Sequence, residues 1–133
     1  MGQQQLLLIV LGVIVVGIAV VVGINLFNAN AESSTQDSIV SQGTNIGALA
    51  QQYFKKPTAM GGGGNSFTGF DTKVWPTLPQ NLKVSTDANW TTTAPTVSAT
   101  QIVFTATPND PSYAAKWTVV TTVTKDSILS QVQ

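Results

Sequence analysis

Cysteine, histidine and arginine are all absent from the 133 residues. No thiolate nucleophile, imidazole base or Cys/His zinc site can be built without them, and no disulfide holds the fold together. Charge is scarce as well: six lysines balance six carboxylates, and only 9% of residues carry a charge. A nucleic-acid binder neutralises phosphates with a basic face. Six scattered lysines do not supply one, so nucleic acid is not an expected partner. What the chain does have is 43% apolar residues, unevenly distributed, and room for one small domain.

From Leu6 to Ile24 every residue is apolar or Gly. A helix needs about 20 apolar residues to cross a bilayer core, and this run is close to that length. A short core helix would be amphipathic. This one is apolar all round, so its whole circumference must face lipid or other protein. A cleaved signal peptide would want a basic leading region and a shorter apolar stretch. Ala29-Asn30-Ala31 has the form of a cleavage site, but no positive charge precedes the run. Val and Ile dominate the segment, with Gly12, Gly17 and Gly23 at spacings that do not make a GxxxG repeat. Small residues let helices approach closely in an apolar setting, so packing among many copies fits as well as a plain anchor.

Past Ile24, Ile39, Ile46, Ala50 and Tyr53 recur at helical spacing, with Val40, Leu49 and Phe54 widening the same face. Lys55 and Lys56 suit the negative end of a helix dipole, and Pro57 ends the helix. The expectation is one helix from about Gln3 to Lys56, apolar in its first half and amphipathic in its second. Asn25–Asn30 and Gly43–Gly47 are its expected weak points.

Gly2 followed by Gln3-Gln4-Gln5-Leu6-Leu7-Leu8-Ile9, and a helix exit at Ala50-Gln51-Gln52-Tyr53-Phe54-Lys55-Lys56-Pro57, resemble a type IV pilin or pseudopilin. The resemblance covers the organisation of the whole chain, and at residue level it is confined to the first half. It implies processing between Gly2 and Gln3. It also implies a filament core built from the half-helix, with Leu6, Leu7, Ile9, Val10, Val13, Ile14, Val16, Ile18, Val20, Val21 and Ile24 as packing residues. Two features depart from the family pattern. Its Glu at the fifth mature position is here Leu7, so the docking role of that carboxylate is not carried over. The leader, Met1-Gly2, is shorter than usual and has no basic residue.

Residues 57–81 read as a loop with the run Gly61–Gly64, Pro76 and Pro79, and with Phe67, Phe70 and Trp75 pinning it to the domain. The glycine run is not a phosphate cradle, because no Lys-Ser/Thr follows it. Beyond Leu82 the chain turns strand-like, rich in Thr and Val with period-two stretches. Expected strands are Leu82–Thr86, Thr96–Thr107 and Lys116–Thr124, with a short piece at Trp90–Thr93. Asp87-Ala88-Asn89 and Pro108-Asn109-Asp110-Pro111 are the expected turns. The fold class is therefore α+β: a long N-terminal helix packed on an antiparallel sheet of three to four strands. Ile39, Ile46, Leu49 and Tyr53 are the helix–sheet contacts that let so small a sheet fold. Residues 1–30 form the transmembrane or filament-core half-helix, and residues 31–133 the globular part, made of half-helix 31–56, loop 57–81 and sheet 82–133.

Single carboxylates in Thr/Pro-rich turns are turn formers, and nothing pairs two of them for acid–base work. No catalytic residue, cofactor or metal is expected, and Asn109 and Asp110 lack the spaced loop of a calcium site. Asn89-Trp90-Thr91 is an N-glycosylation triplet, and Asp87 fits its extended form. The expected function is a structural subunit of a cell-surface filament of the pilus kind, serving adhesion, motility or secretion. It would self-assemble through the N-terminal helix, reside in the cytoplasmic membrane before assembly, and depend on assembly machinery. The alternative is a single-pass membrane protein displaying a small extracytoplasmic binding module.

Overall fold

The computed structural model describes residues 2–133. Helix α1 spans Gly2–Lys55. The chain divides into two compact units, one ending at Ser34 and the other running Thr35–Gln133.

In the second unit the buried side of α1 is Ile39, Gly43, Ile46, Gly47, Ala50, Tyr53 and Phe54. Steps of three and four put these residues on one helix face. Of the four expected contacts, Ile39, Ile46 and Tyr53 are buried, while Leu49 is half-buried at the flank. Gly43 and Gly47 are not weak points. A Cβ at either would run into side chains of the sheet, and the helix is unbroken through both them and Asn25–Asn30.

Helix α1 ends where Pro57 forbids another turn, and the glycine run caps it. The N–H groups of Gly63, Asn65 and Gly64 donate to the carbonyls of Tyr53, Phe54 and Lys56 at 2.8, 2.8 and 3.0 Å. These are carbonyls that every helix C-terminus leaves without an internal partner. A Cβ at Gly63 would overlap the Ser66 carbonyl, which explains the need for Gly at that point of close approach.

The segment that follows is less of a loop than expected. It contains α2 (Phe70–Lys73), α3 (Gln80–Lys83) and two 3-10 turns. Its rings pin it as foreseen: Phe67 and Phe70 are fully buried. Phe70 meets Tyr53 edge-on at 5.5 Å and Phe104 at 5.8 Å, and Trp75 lies 5.4 Å from Phe104. Such geometries suit the ring quadrupoles. Lys83 is buried, its Nζ donating to the Trp75 carbonyl at 3.2 Å.

The sheet is antiparallel with five strands, one more than expected: β1 (Ala88–Asn89), β2 (Thr96–Val97), β3 (Gln101–Pro108), β4 (Val119–Thr124) and β5 (Ile128–Val132). Its order is β1-β3-β4-β5, with β2 also on β3. The strand expected at Leu82–Thr86 is instead the end of α3 plus a single bridge from Val84 to Asn89. The piece expected at Trp90–Thr93 is a bend, and the strand lies just before it, where a turn was expected. The expected strand Thr96–Thr107 folds back on itself at Ser98–Thr100, so that Val97 pairs with Ile102. Lys116 and Trp117 precede β4, which begins at Val119 after helix α4 (Pro111–Ala114).

The alternation is as the period-two pattern requires. Ile102, Phe104 and Ala106 of β3, with Val119, Thr121 and Val123 of β4, face the core at 0–1% exposure. Thr121 is the one polar residue among these, and its hydroxyl is satisfied by Ser130 at 2.8 Å.

Candidate functional site

The remaining part of α1 has no core to face. From Leu6 to Ile24 its large apolar side chains are exposed on every side, from 50% at Val22 to 69% at Leu7 and Leu8. Leu6, Ile9, Val10, Val13, Ile14, Val16, Ile18, Val20, Val21 and Ile24 all lie in that range. Successive residues are about 100° apart around a helix of 3.6 residues per turn, so no polar stripe interrupts the surface. Soluble monomers rarely present so large an apolar patch, and one marks an interaction surface. Leu8, Leu11, Val15 and Val22 belong to the same surface, and Leu26 and Phe27 prolong it beyond Asn25, at 61% and 73% exposure. These last two lay outside the expected run because Asn25 interrupts it.

The glycines of this stretch differ from those of the second unit. A Cβ at Gly12, Gly17 or Gly23 would meet nothing within 4 Å, whereas one at Gly43 or Gly47 would strike the sheet. Gly costs about 1 kcal/mol relative to Ala in a helix interior, and within the chain itself nothing at these three positions requires it. Gly2 and Gln3 stand exposed in the first turn of α1.

The helix is long and apolar enough to cross a membrane, and its second half lies on an antiparallel sheet. The architecture is type IV pilin-like. Comparisons with protein-family models, curated proteins and solved structures find no match. The carboxylates of the unit Thr35–Gln133 serve its local structure or stand apart. Asp87 accepts from the Ser38 hydroxyl at 2.6 Å, tying β1 to α1. Asp110 caps α4, accepting from the Ser112 N–H at 2.9 Å and its hydroxyl at 2.6 Å. Those Ser112 bonds, with Lys116 a minor contributor, hold the Asp110 carboxyl below its ordinary value. The Asn109 amide donates to the Ser85 carbonyl. Asp126 lies 3.9 Å from Lys125 at the exposed turn before β5. Among the described residues no three carboxylates gather.

Asn89 closes β1 and is half-buried, and its side-chain oxygen accepts from both the N–H and the hydroxyl of Thr91.

Proposed function

We propose that the chain is the structural subunit of an extracellular type IV pilus-like filament, polymerising through Leu6–Ile24, with the membrane as its reservoir before assembly. One observation carries this reading: the apolar surface of α1 is exposed around its full circumference. Burying a Val, Leu or Ile side chain contributes about 1.5–3 kcal/mol, so sister copies packed round such a rod would form a very stable polymer. In a dry core the helix satisfies its own backbone, and because no charged side chain precedes Glu32 the apolar run brings no side-chain ion to bury unpaired. Gly12, Gly17 and Gly23 favour packing of copies over a lone lipid anchor, since lipid would accept larger residues there equally well. On this reading the partners are further copies of the chain and the machinery that extracts it from the membrane. No catalysis, cofactor or metal enters.

Two experiments test it. Shearing cells, pelleting the released material and imaging it should give fibres containing this chain. Recovery only in the membrane fraction, with no fibres, favours the single-pass anchored module instead. Replacing Gly12, Gly17 and Gly23 by Leu should cut the fibre yield at least tenfold while membrane insertion is unchanged. Unchanged fibre yield would contradict close packing at those positions.

A further inference from the structure

Asn89-Trp90-Thr91 is the only Asn-x-Ser/Thr triplet in the chain. Asn89 Oδ1 accepts from the Thr91 N–H at 2.8 Å and from the Thr91 hydroxyl at 2.6 Å. A backbone N–H only donates, so this contact decides which end of the amide is oxygen and turns Nδ2 the other way. Among the described residues Nδ2 has no hydrogen-bond partner and no buried side-chain polar atom goes unpaired, so Nδ2 opens to solvent. Two donors on Oδ1 draw electron density toward the oxygen and make the Nδ2 proton easier to remove. Around it Thr91, Thr92 and Thr93 are exposed, uncharged and polar, a setting that accepts a hydrated substituent without burying charge.

We propose that Asn89 is the acceptor of an N-linked sugar, an inference that rests on the sheet-bearing unit being displayed outside the cell. In the transfer, Nδ2 bonds to the anomeric carbon of a glycosyl diphosphate donor. The bond from that carbon to the diphosphate oxygen breaks, the diphosphate leaves with the electron pair, and a base on the transferase takes the amide proton. Two neighbours of Asn89 are committed to the finished fold: Trp90 is 1% exposed and Asp87 is held by Ser38. Transfer therefore precedes the closing of β1 onto β3, and the folded subunit carries the sugar outward on Nδ2.

Cleavage after lysine gives the peptide Val84–Lys116, whose mass is measured in protein from the native cells and in variants expressed there. The wild-type peptide should carry the added mass of a glycan, Thr91→Ser should retain it, and Asn89→Asp and Thr91→Val should lose it entirely. Asn89→Asp keeps the Oδ1 acceptor and hence the turn, so a loss there is not a folding defect. An unmodified wild-type peptide overturns the proposal. So does added mass that persists in Asn89→Asp, which would place the sugar on a threonine or serine hydroxyl of the peptide. Fibre and membrane fractions are measured separately. Unmodified fibres defeat this inference and leave the filament reading standing, whereas a glycosylated chain found only in membranes does the reverse.

Discussion

Val15→Asp should abolish fibre formation while leaving the sheet-bearing unit folded. Val15 is 56% exposed and belongs to the compact unit that ends at Ser34, so the thermal transition of the unit Thr35–Gln133 in detergent should not move. In an assembly the same position is dry. A carboxylate at the centre of an apolar span costs about 3 kcal/mol on insertion scales and more where no water can follow it. Each subunit would contribute that penalty, a factor of about 100 per copy added. Electron microscopy of sheared material checks it, and fibres at wild-type yield would contradict the packing scheme.

Gly43→Val should have the opposite signature, destabilising the subunit itself. A Cβ at Gly43 would clash with the Thr121 hydroxyl and stand 2.9 Å from a Trp90 ring carbon, 3.2 Å from the Ser130 hydroxyl. Thr121 and Trp90 are themselves 0% and 1% exposed, so neither has room to give, and the Thr121–Ser130 bond would be broken. Better helix propensity returns at most about 1 kcal/mol. Overpacking by a branched residue in a filled core should outweigh it, for a net loss of about 3 kcal/mol. For a unit of this size that lowers Tm by roughly 10–20 °C, readable by circular dichroism. The control is Gly17→Val, where a Cβ meets nothing and the transition should stay in place.

The contrast between these glycines shows where sequence reasoning stopped. In an isolated helix Gly lowers propensity, so Gly43 and Gly47 read as weak points. Their use appears only when Thr121, Val123 and Ile128, some 80 residues away in the chain, lie against them. The ends of α1, the alternation of Ile102, Phe104 and Ala106, and the pinning role of Phe67 and Phe70 were legible because each follows from local periodicity or from a ring in a polar stretch. The β2–β3 hairpin was not, because Ser98-Ala99-Thr100 contains neither Gly nor Pro to signal a turn. Strand β5 was missed for another reason: Ile128–Val132 alternates weakly and earns its place only through pairing with β4. Leu82–Thr86 had a period-two look, yet Pro79 starts a helical turn that carries Leu82 and Lys83 with it. The apolar surface of α1 was visible because its signal is one-dimensional, an unbroken run of apolar side chains.

A stable polymer requires that surface to be sheathed on all sides in the assembled state. The chain contains no cysteine, so single cysteines can be placed at successive positions from Leu6 to Ile24 and the released fibres treated with a membrane-impermeant, thiol-reactive label. We expect no labelling at any position round the helix in intact fibres, and full labelling after the fibres are dissolved in denaturant. A stripe of positions that labels in intact fibres would mean that one side of the rod stays wet, and would contradict the account.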